Sequence, residues 1–462
     1  MKKYLILPSL ILLTACETND WLGADEVTPL LEGKRISVLE HRIELKEDSG
    51  LNKIEVKLPS TVKNKSWTKQ NIAPAENLSL AKKLTNDKKS SIGDAPKEGL
   101  RLTSTPIIAN GNIFTIDGNG NLQSRDAKNI DKLNWESNIN NSVESGEKVE
   151  LAFGIGFGSE KRTKEFLGGN ISYVDGKILA TTSNGYISSV SAKDGKTLWS
   201  RSLNLPIKSA PISDGKRIFA ITSGNTVYGL NAKDGKTLWT HASVNEGASV
   251  YGVPSPVIEG NIVVVPYSSG DIIAFNAETG QIIWSESLVS KKRKQTSGFV
   301  LNDIDATPII ANDVVYAVSN DNVLTAIDLY SGKKLWTQEI SSVKTPWKAG
   351  EFLYVLTVED QIIAIHSKTG RIKWIKQLEN FEEASLKVLG AKKGARISYF
   401  GPILANDRLL LIGSDGFIRA ISPFSGTVVE RIPALSNVYL PLVVANDIIY
   451  LLNNDAEMMS IY

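Results

Sequence analysis

The chain has 462 residues, 42% of them hydrophobic and 22% charged, with 52 basic against 50 acidic side chains. That balance is ordinary for a globular protein and excludes a disordered or membrane-embedded chain. It also leaves no global basic excess to spread over a phosphate backbone, so nucleic acid is not an expected partner.

The N-terminus carries a local signal. Met1-Lys2-Lys3 is a basic start, and Tyr4 to Ala15 is an apolar stretch. That stretch is shorter than the roughly 20 residues that span a bilayer. This is the anatomy of a secretory signal. It ends in Leu13-Thr14-Ala15-Cys16, and Cys16 is the only cysteine in the chain. The segment resembles a bacterial lipobox, which implies lipidation of Cys16 after removal of residues 1–15. The alternative is a plain cleaved signal followed by an incidental cysteine. Glu17 rather than Asp after the cysteine resembles the signals of outer-membrane lipoproteins. A single cysteine also leaves no intrachain disulfide, so stability must come from packing.

Residues 16–60 show no repeat and read as an N-terminal tether with at most one short strand; residues 61–462 read as the folded domain. From about residue 101 the sequence becomes periodic. One unit runs Ile207 to Trp239, with apolar stretches of four to six residues separated by Asp214-Gly215, Gly224-Asn225 and Asp234-Gly235-Lys236. Short β-branched runs between Gly, Asn and Asp turns predict four antiparallel strands per unit. Prolines open the units at Pro106, Pro211, Pro256, Pro308, Pro346, Pro402 and Pro441. Gly195, Gly235, Gly280, Gly332 and Gly370 are each followed four residues later by a tryptophan: Trp199, Trp239, Trp284, Trp336 and Trp374. Trp135 closes an earlier unit, and Glu430 stands at the tryptophan position of a later one.

Tryptophan-to-tryptophan steps of 40, 45, 52 and 38 residues match the blades of a β-propeller and exclude helical solenoids. Unit ends are expected near residues 137, 203, 243, 288, 340, 378 and 432. The last unit, from Val438 to Tyr462, has only three strands, which would leave an unpaired edge. The segment Asn64–Thr68, with Trp67, has the look of an outer strand and is expected to complete it. The fold class is therefore all-β, an eight-bladed propeller closed by an N-terminal strand; seven blades with an unrelated N-terminal segment is the alternative. The repeated tryptophans are expected to pack between blades, each oriented by the turn four residues before it. Two insertions, at about 138–167 and 380–396, interrupt the pattern.

Catalytic constellations are scarce. His41, His241 and His366 stand at unrelated places in the repeat, and none has metal-ligand spacing. No Gly-x-Ser-x-Gly elbow occurs. Gly154–Gly158 lacks the following helix that a phosphate cradle needs, and Lys291–Lys294 reads as a solvated loop. Asp303 and Asp305, two residues apart ahead of a strand, point the same way in an extended chain. Two readings stay open for them: turn capping, or a charged ridge receiving a basic partner.

The Asp/Glu-x-Gly-Lys-x-x-Trp endings resemble the quinoprotein-type propeller repeat, shared by quinone-dependent dehydrogenases and by non-enzymatic lipoproteins of outer-membrane β-barrel assembly. The lipobox, the terminal part-blade, Val265–Gly270 and Thr345–Gly350 are similar to the lipoprotein branch. This resemblance implies no enzymatic activity, no cofactor and no metal. It implies an outer-membrane location facing the periplasm. The partners it implies are the POTRA region of the barrel subunit, unfolded outer-membrane proteins and, through the lipid, the membrane. It implies a partner contact at Asp303 and Asp305, and a second near Val250 and Tyr251, where Tyr251 replaces the basic residue of the family. The alternative is a quinoprotein dehydrogenase or a degenerate quinone-binding propeller. Those enzymes seat the cofactor on a vicinal cysteine disulfide, which one cysteine cannot form. A propeller binding cell-wall or sugar ligands is a third option, although no aromatic cluster singles out such a site.

Overall fold

The computed structural model describes residues 45–69, 76–84, 87–139, 168–207, 209–244, 254–290, 303–380 and 395–462. Cys16, His41, Val250, Tyr251, Gly154–Gly158, Lys291–Lys294 and most of both insertions lie outside the described residues. Leu45–Tyr462 forms one compact unit.

Among the described residues that unit holds eight sheets, each with a four-stranded antiparallel ladder. In chain order their innermost strands are Ile107–Ala109, Gly169–Val174, Ile212–Ser213, Val257–Glu259, Ile309–Ala311, Trp347–Ala349, Tyr399–Ala405 and Val443–Ala445. These strands of neighbouring sheets approach one another, for example the first with the second and the sixth with the seventh. They therefore converge on a common axis, as in a β-propeller. The fourth strands lie outermost and end at Asn138, Ser202, Ala242, Ser287, Gln338, Gln377 and Pro433, close to the unit ends read from the repeat. The middle strands are buried on both faces; Phe352–Leu356 is buried at every position. Each sheet is sandwiched between two others, so its central strands read as continuous apolar runs rather than alternating ones.

The repeat's glycine and tryptophan meet across sheets. Each indole N–H donates to a backbone carbonyl of the next sheet: Trp135 to Ala192, Trp199 to Ala232, Trp239 to Ala277, Trp284 to Leu329, Trp336 to Ser367 and Trp374 to Pro423, at 2.7–3.3 Å. The ring lies on the turn glycine of that next sheet. A Cβ on Gly235 would stand 2.7 Å from the Trp199 ring, and one on Gly370 would stand 2.7 Å from Trp336. These glycines also adopt φ of about +70°, a region costly for other residues. The expectation that each tryptophan is held by the turn before it is thus corrected: the turn of the following sheet holds it.

Ring closure differs from expectation in a second way. The strand completing the last sheet is Asp87–Ser91, antiparallel to Glu457–Ile461 with Lys88 opposite Ser460 and Ser90 opposite Met458. It carries no tryptophan. Trp67 instead forms an isolated bridge with Ile108 of the first sheet's inner strand. Its ring is 3% exposed, and its indole N–H has no hydrogen-bond partner among the described residues. Trp67 is therefore not a member of the tryptophan repeat. A tryptophan in a short extended run is a weak marker of an outer strand, because burial against any neighbour satisfies it equally well.

The segment around Trp67 is a strap across the ends of the inner strands. Gly350, in the turn after the sixth inner strand, lies against the Lys57 carbonyl. The Trp347 indole donates to the Glu76 carbonyl at 3.1 Å. Asn406 N–H donates to the Leu78 carbonyl, Asn446 N–H to that of Asn64, and Tyr173 N–H to that of Thr68. The strap thus touches the sixth, seventh, eighth, first and second sheets in turn. Upstream, Asp48 pairs with Arg371 through two hydrogen bonds, Asp48 N–H donates to the Ile372 carbonyl, and Leu51 is buried. The part of the expected tether from Leu45 to Ser60 therefore packs on the propeller.

Candidate functional site

Because the strap covers the ends of several inner strands, the opposite mouth of the axis, where those strands begin, is the place to look for a site. The segments entering the inner strands bring five side chains there. Asp305 precedes the fifth inner strand, Lys344 the sixth, Tyr439 the eighth and Arg101 the first, while Phe400 is the second residue of the seventh. Each stands two to five residues ahead of a strand-opening proline, a spacing visible in the sequence that could have singled them out. Only Asp305 was read from the sequence as a site residue.

Two cations rest on two aromatic rings. The Arg101 guanidinium carbon is 3.8 Å from the centre of the Tyr439 ring. Lys344 Nζ is 3.9 Å from the centre of the Phe400 ring. The two rings meet edge to face, 6.2 Å apart. Cations over aromatic faces are held by the ring quadrupole, with about 0.5–2 kcal/mol per pair. Arg101 is exposed and Lys344 half-buried. Among the described residues neither has a carboxylate within ion-pair distance.

The acidic pair behaves differently from the charged ridge considered above. Asp303 is 1% exposed and Ile304 between the two is 0% exposed, while Asp305 is half-buried. Burial first, and the neighbouring Asp303 charge second, push the Asp305 carboxyl up to about 7, against an opposing pull from Lys344. Asp305 Oδ2 accepts no hydrogen bond among the described residues, consistent with a poorly solvated carboxylate. Burial likewise pulls Lys344 down to about 8, with Asp305 and Asp360 opposing the shift and Arg101 adding to it. Two other acids at this mouth are paired with arginines. Arg396 bonds Asp360 at 2.9 Å. Arg419, 2% exposed, is bound by Asp415 at 2.6 Å and lies 3.5 Å from Glu379.

Elsewhere the two described histidines have structural surroundings. His241 lies 3.3 Å from the Tyr267 hydroxyl, and His366 meets Thr369 Oγ1 at 3.0 Å. Among the described residues no group of three or more His, Cys, Asp or Glu side chains is placed to hold a metal ion.

Eight such sheets around one axis, joined by glycine-seated tryptophans, define a propeller of the quinoprotein-like repeat class. Residues 150–376 match the family model described as outer membrane protein assembly factor BamB. The Salmonella typhimurium BamB is 27% identical over 71% of this chain and 75% of its own length. With two other BamB relatives the match spans roughly half of their length, 52% for Moranella endobia and 56% for Yersinia pestis. The crystal structure of BamB from Moraxella catarrhalis superposes with a TM-score of 0.60 at 17% identity, covering 81% of this chain and 99% of that one. The quinohemoprotein alcohol dehydrogenase of Comamonas testosteroni reaches 0.59 at 10% identity, covering 86% and 80%. Those two structural likenesses carry the fold. The family model and the sequence relatives make this chain similar to BamB proteins over the matched part of its length.

Proposed function

We propose that the protein is a non-enzymatic scaffold of outer-membrane β-barrel assembly, anchored by lipid on Cys16 and facing the periplasm. The observation that carries this reading is the match to BamB assembly factors in sequence together with the BamB fold. In this reading the propeller binds the POTRA region of the barrel subunit through loops at the mouth and rim, and assists delivery or insertion of unfolded outer-membrane proteins.

Lipid attached to Cys16 would tether the propeller to a bilayer. Several acyl chains at about 0.8 kcal/mol per buried CH₂ make such an anchor stable. The test is capture of the tagged full chain from detergent-extracted envelopes of its own host. The barrel subunit should co-purify, and Cys16→Ser should move the protein from the membrane to the soluble periplasmic fraction. Capture without the barrel subunit would remove the assembly reading.

The quinoprotein reading shares the fold, as the Comamonas testosteroni enzyme shows. It does not share the seat of the cofactor, because a vicinal disulfide needs two cysteines and this chain has one. Titration with pyrroloquinoline quinone and calcium should produce no dye reduction.

A further inference from the structure

We propose that the open mouth of the propeller receives an acidic segment of a partner polypeptide, with Arg101 and Lys344 as the receiving cations on their Tyr439 and Phe400 platforms. This deepens the scaffold reading by naming the partner chemistry, and it rests on that reading.

The argument is one of which charges can meet an outside group. At this mouth Asp303 is sealed from solvent and Asp305 half-buried, and Asp360 and Asp415 are engaged by Arg396 and Arg419. These four acids are therefore sealed, half-buried or already paired. Arg101 is exposed, Lys344 partly so, and neither is neutralised by a carboxylate at ion-pair distance among the described residues. The two cations come from the sixth and first sheets, and they are joined by the Phe400–Tyr439 contact of the seventh and eighth. Aromatic faces hold both cations in place, so little side-chain entropy remains to be lost when a carboxylate arrives.

The opposite end cannot offer an equivalent surface. The strap lies there across five consecutive sheets, using backbone groups that a partner would otherwise meet. A carboxylate is the natural complement because a guanidinium takes it bidentately and an ammonium as a point charge. Charge complementarity of this kind governs which partner docks and how fast, and it weakens with salt.

The test is a titration of the purified full chain, at low and at 0.3 M salt, with hexaglutamate and with hexalysine. Hexaglutamate should bind saturably and more weakly in salt. Arg101→Glu should weaken it at least tenfold, Arg101→Lys should retain most of it, and the Lys344→Gln variant should weaken it further. Preferential binding of hexalysine, lost in Asp305→Asn, would overturn the proposal, as would hexaglutamate binding that Arg101→Glu leaves unchanged, or no hexaglutamate binding at all. Arg101 is exposed, so its substitutions leave the fold intact, which unchanged thermal melting verifies. Envelope capture separates the two levels: a barrel subunit retained equally by wild type and Arg101→Glu sinks the acidic-segment proposal alone. Failure of wild type to capture it sinks the assembly reading instead.

Discussion

Six joints of the ring carry a tryptophan from one sheet seated on the glycine turn of the next, and two joints do not. The seventh sheet has Glu430 at the tryptophan position, paired with Arg408, and the eighth ends in Asp87–Ser91. At the last joint the Tyr450 hydroxyl donates to the Ala127 carbonyl at 2.9 Å, and Arg125 donates to the Ser91 carbonyl at 2.8 Å. The strap runs across these same joints: Asn77 bonds Asp407 at 2.6 Å, Ser79 bonds Asp447 at 2.5 Å, and Trp67 bridges Ile108. The repeat closes most of the circle by one local rule, and the N-terminal segment supplies long-range bonds where the rule lapses. A ring needs every joint, so the two kinds of joint should differ in what their loss does.

The largest effect is expected from removing residues 45–91. This leaves Glu457–Ile461 as an unpaired edge and strips the strap from the weak joints. Cooperative urea unfolding should disappear and soluble yield should collapse; a sharp transition in the truncated chain would show that the tryptophan joints suffice. Next comes Trp284→Ala, at a 7% exposed ring whose N–H bond to Leu329 is 2.7 Å. A loss of about 3–5 kcal/mol in chemical denaturation is expected, with a smaller loss for the half-buried Trp199.

Glycines sharpen the comparison further. Gly235→Ala meets both a positive φ and the Trp199 ring, whereas Gly260→Ala, also at positive φ, meets open space. Losses of about 3 and about 1 kcal/mol are expected from strain plus overpacking against strain alone. Equal losses would remove the ring contact as the reason for the glycine.

The mouth should respond to pH. The folded Asp305 carboxyl takes up its proton near 7 and the unfolded one near 3.8. Its contribution is therefore fully present below about pH 4 and is lost as pH rises toward 7, after which stability no longer changes from this source. Asp305→Asn should flatten that slope, by on the order of 2 kcal/mol between pH 4.5 and 8. Melting temperatures of both proteins across that range provide the check. The smallest effect is expected at the Asp48–Arg371 clip, whose two side chains are 34% and 44% exposed. Asp48→Ala should leave the denaturation midpoint nearly unchanged.

Much of this architecture could be read before any coordinates. The strand-turn period, the unit ends and the inter-sheet role of Trp135, Trp199, Trp239, Trp284, Trp336 and Trp374 follow from spacing, because a repeated local pattern must build a repeated unit. The need for an N-terminal strand followed from the three-stranded end of the chain. Its identity did not, since Asp87–Ser91, read Asp-Lys-Lys-Ser-Ser, is exposed and polar and has no hydrophobic signature to betray it. The mouth cluster was legible only in hindsight, through its placement ahead of the strand-opening prolines.

Sequence by itself determined the period, the turn glycines and the tryptophans, because those depend on backbone preferences and on contacts that recur at fixed spacing. Tertiary structure alone decided which glycine receives which tryptophan, that Trp67 joins the strap, and that Asp303 is sealed while Arg101 faces solvent. These are relations between segments up to about 300 residues or more apart, as with Tyr450 and Ala127. Burial at such distances depends on how the sheets converge on the axis, which no local window of residues encodes.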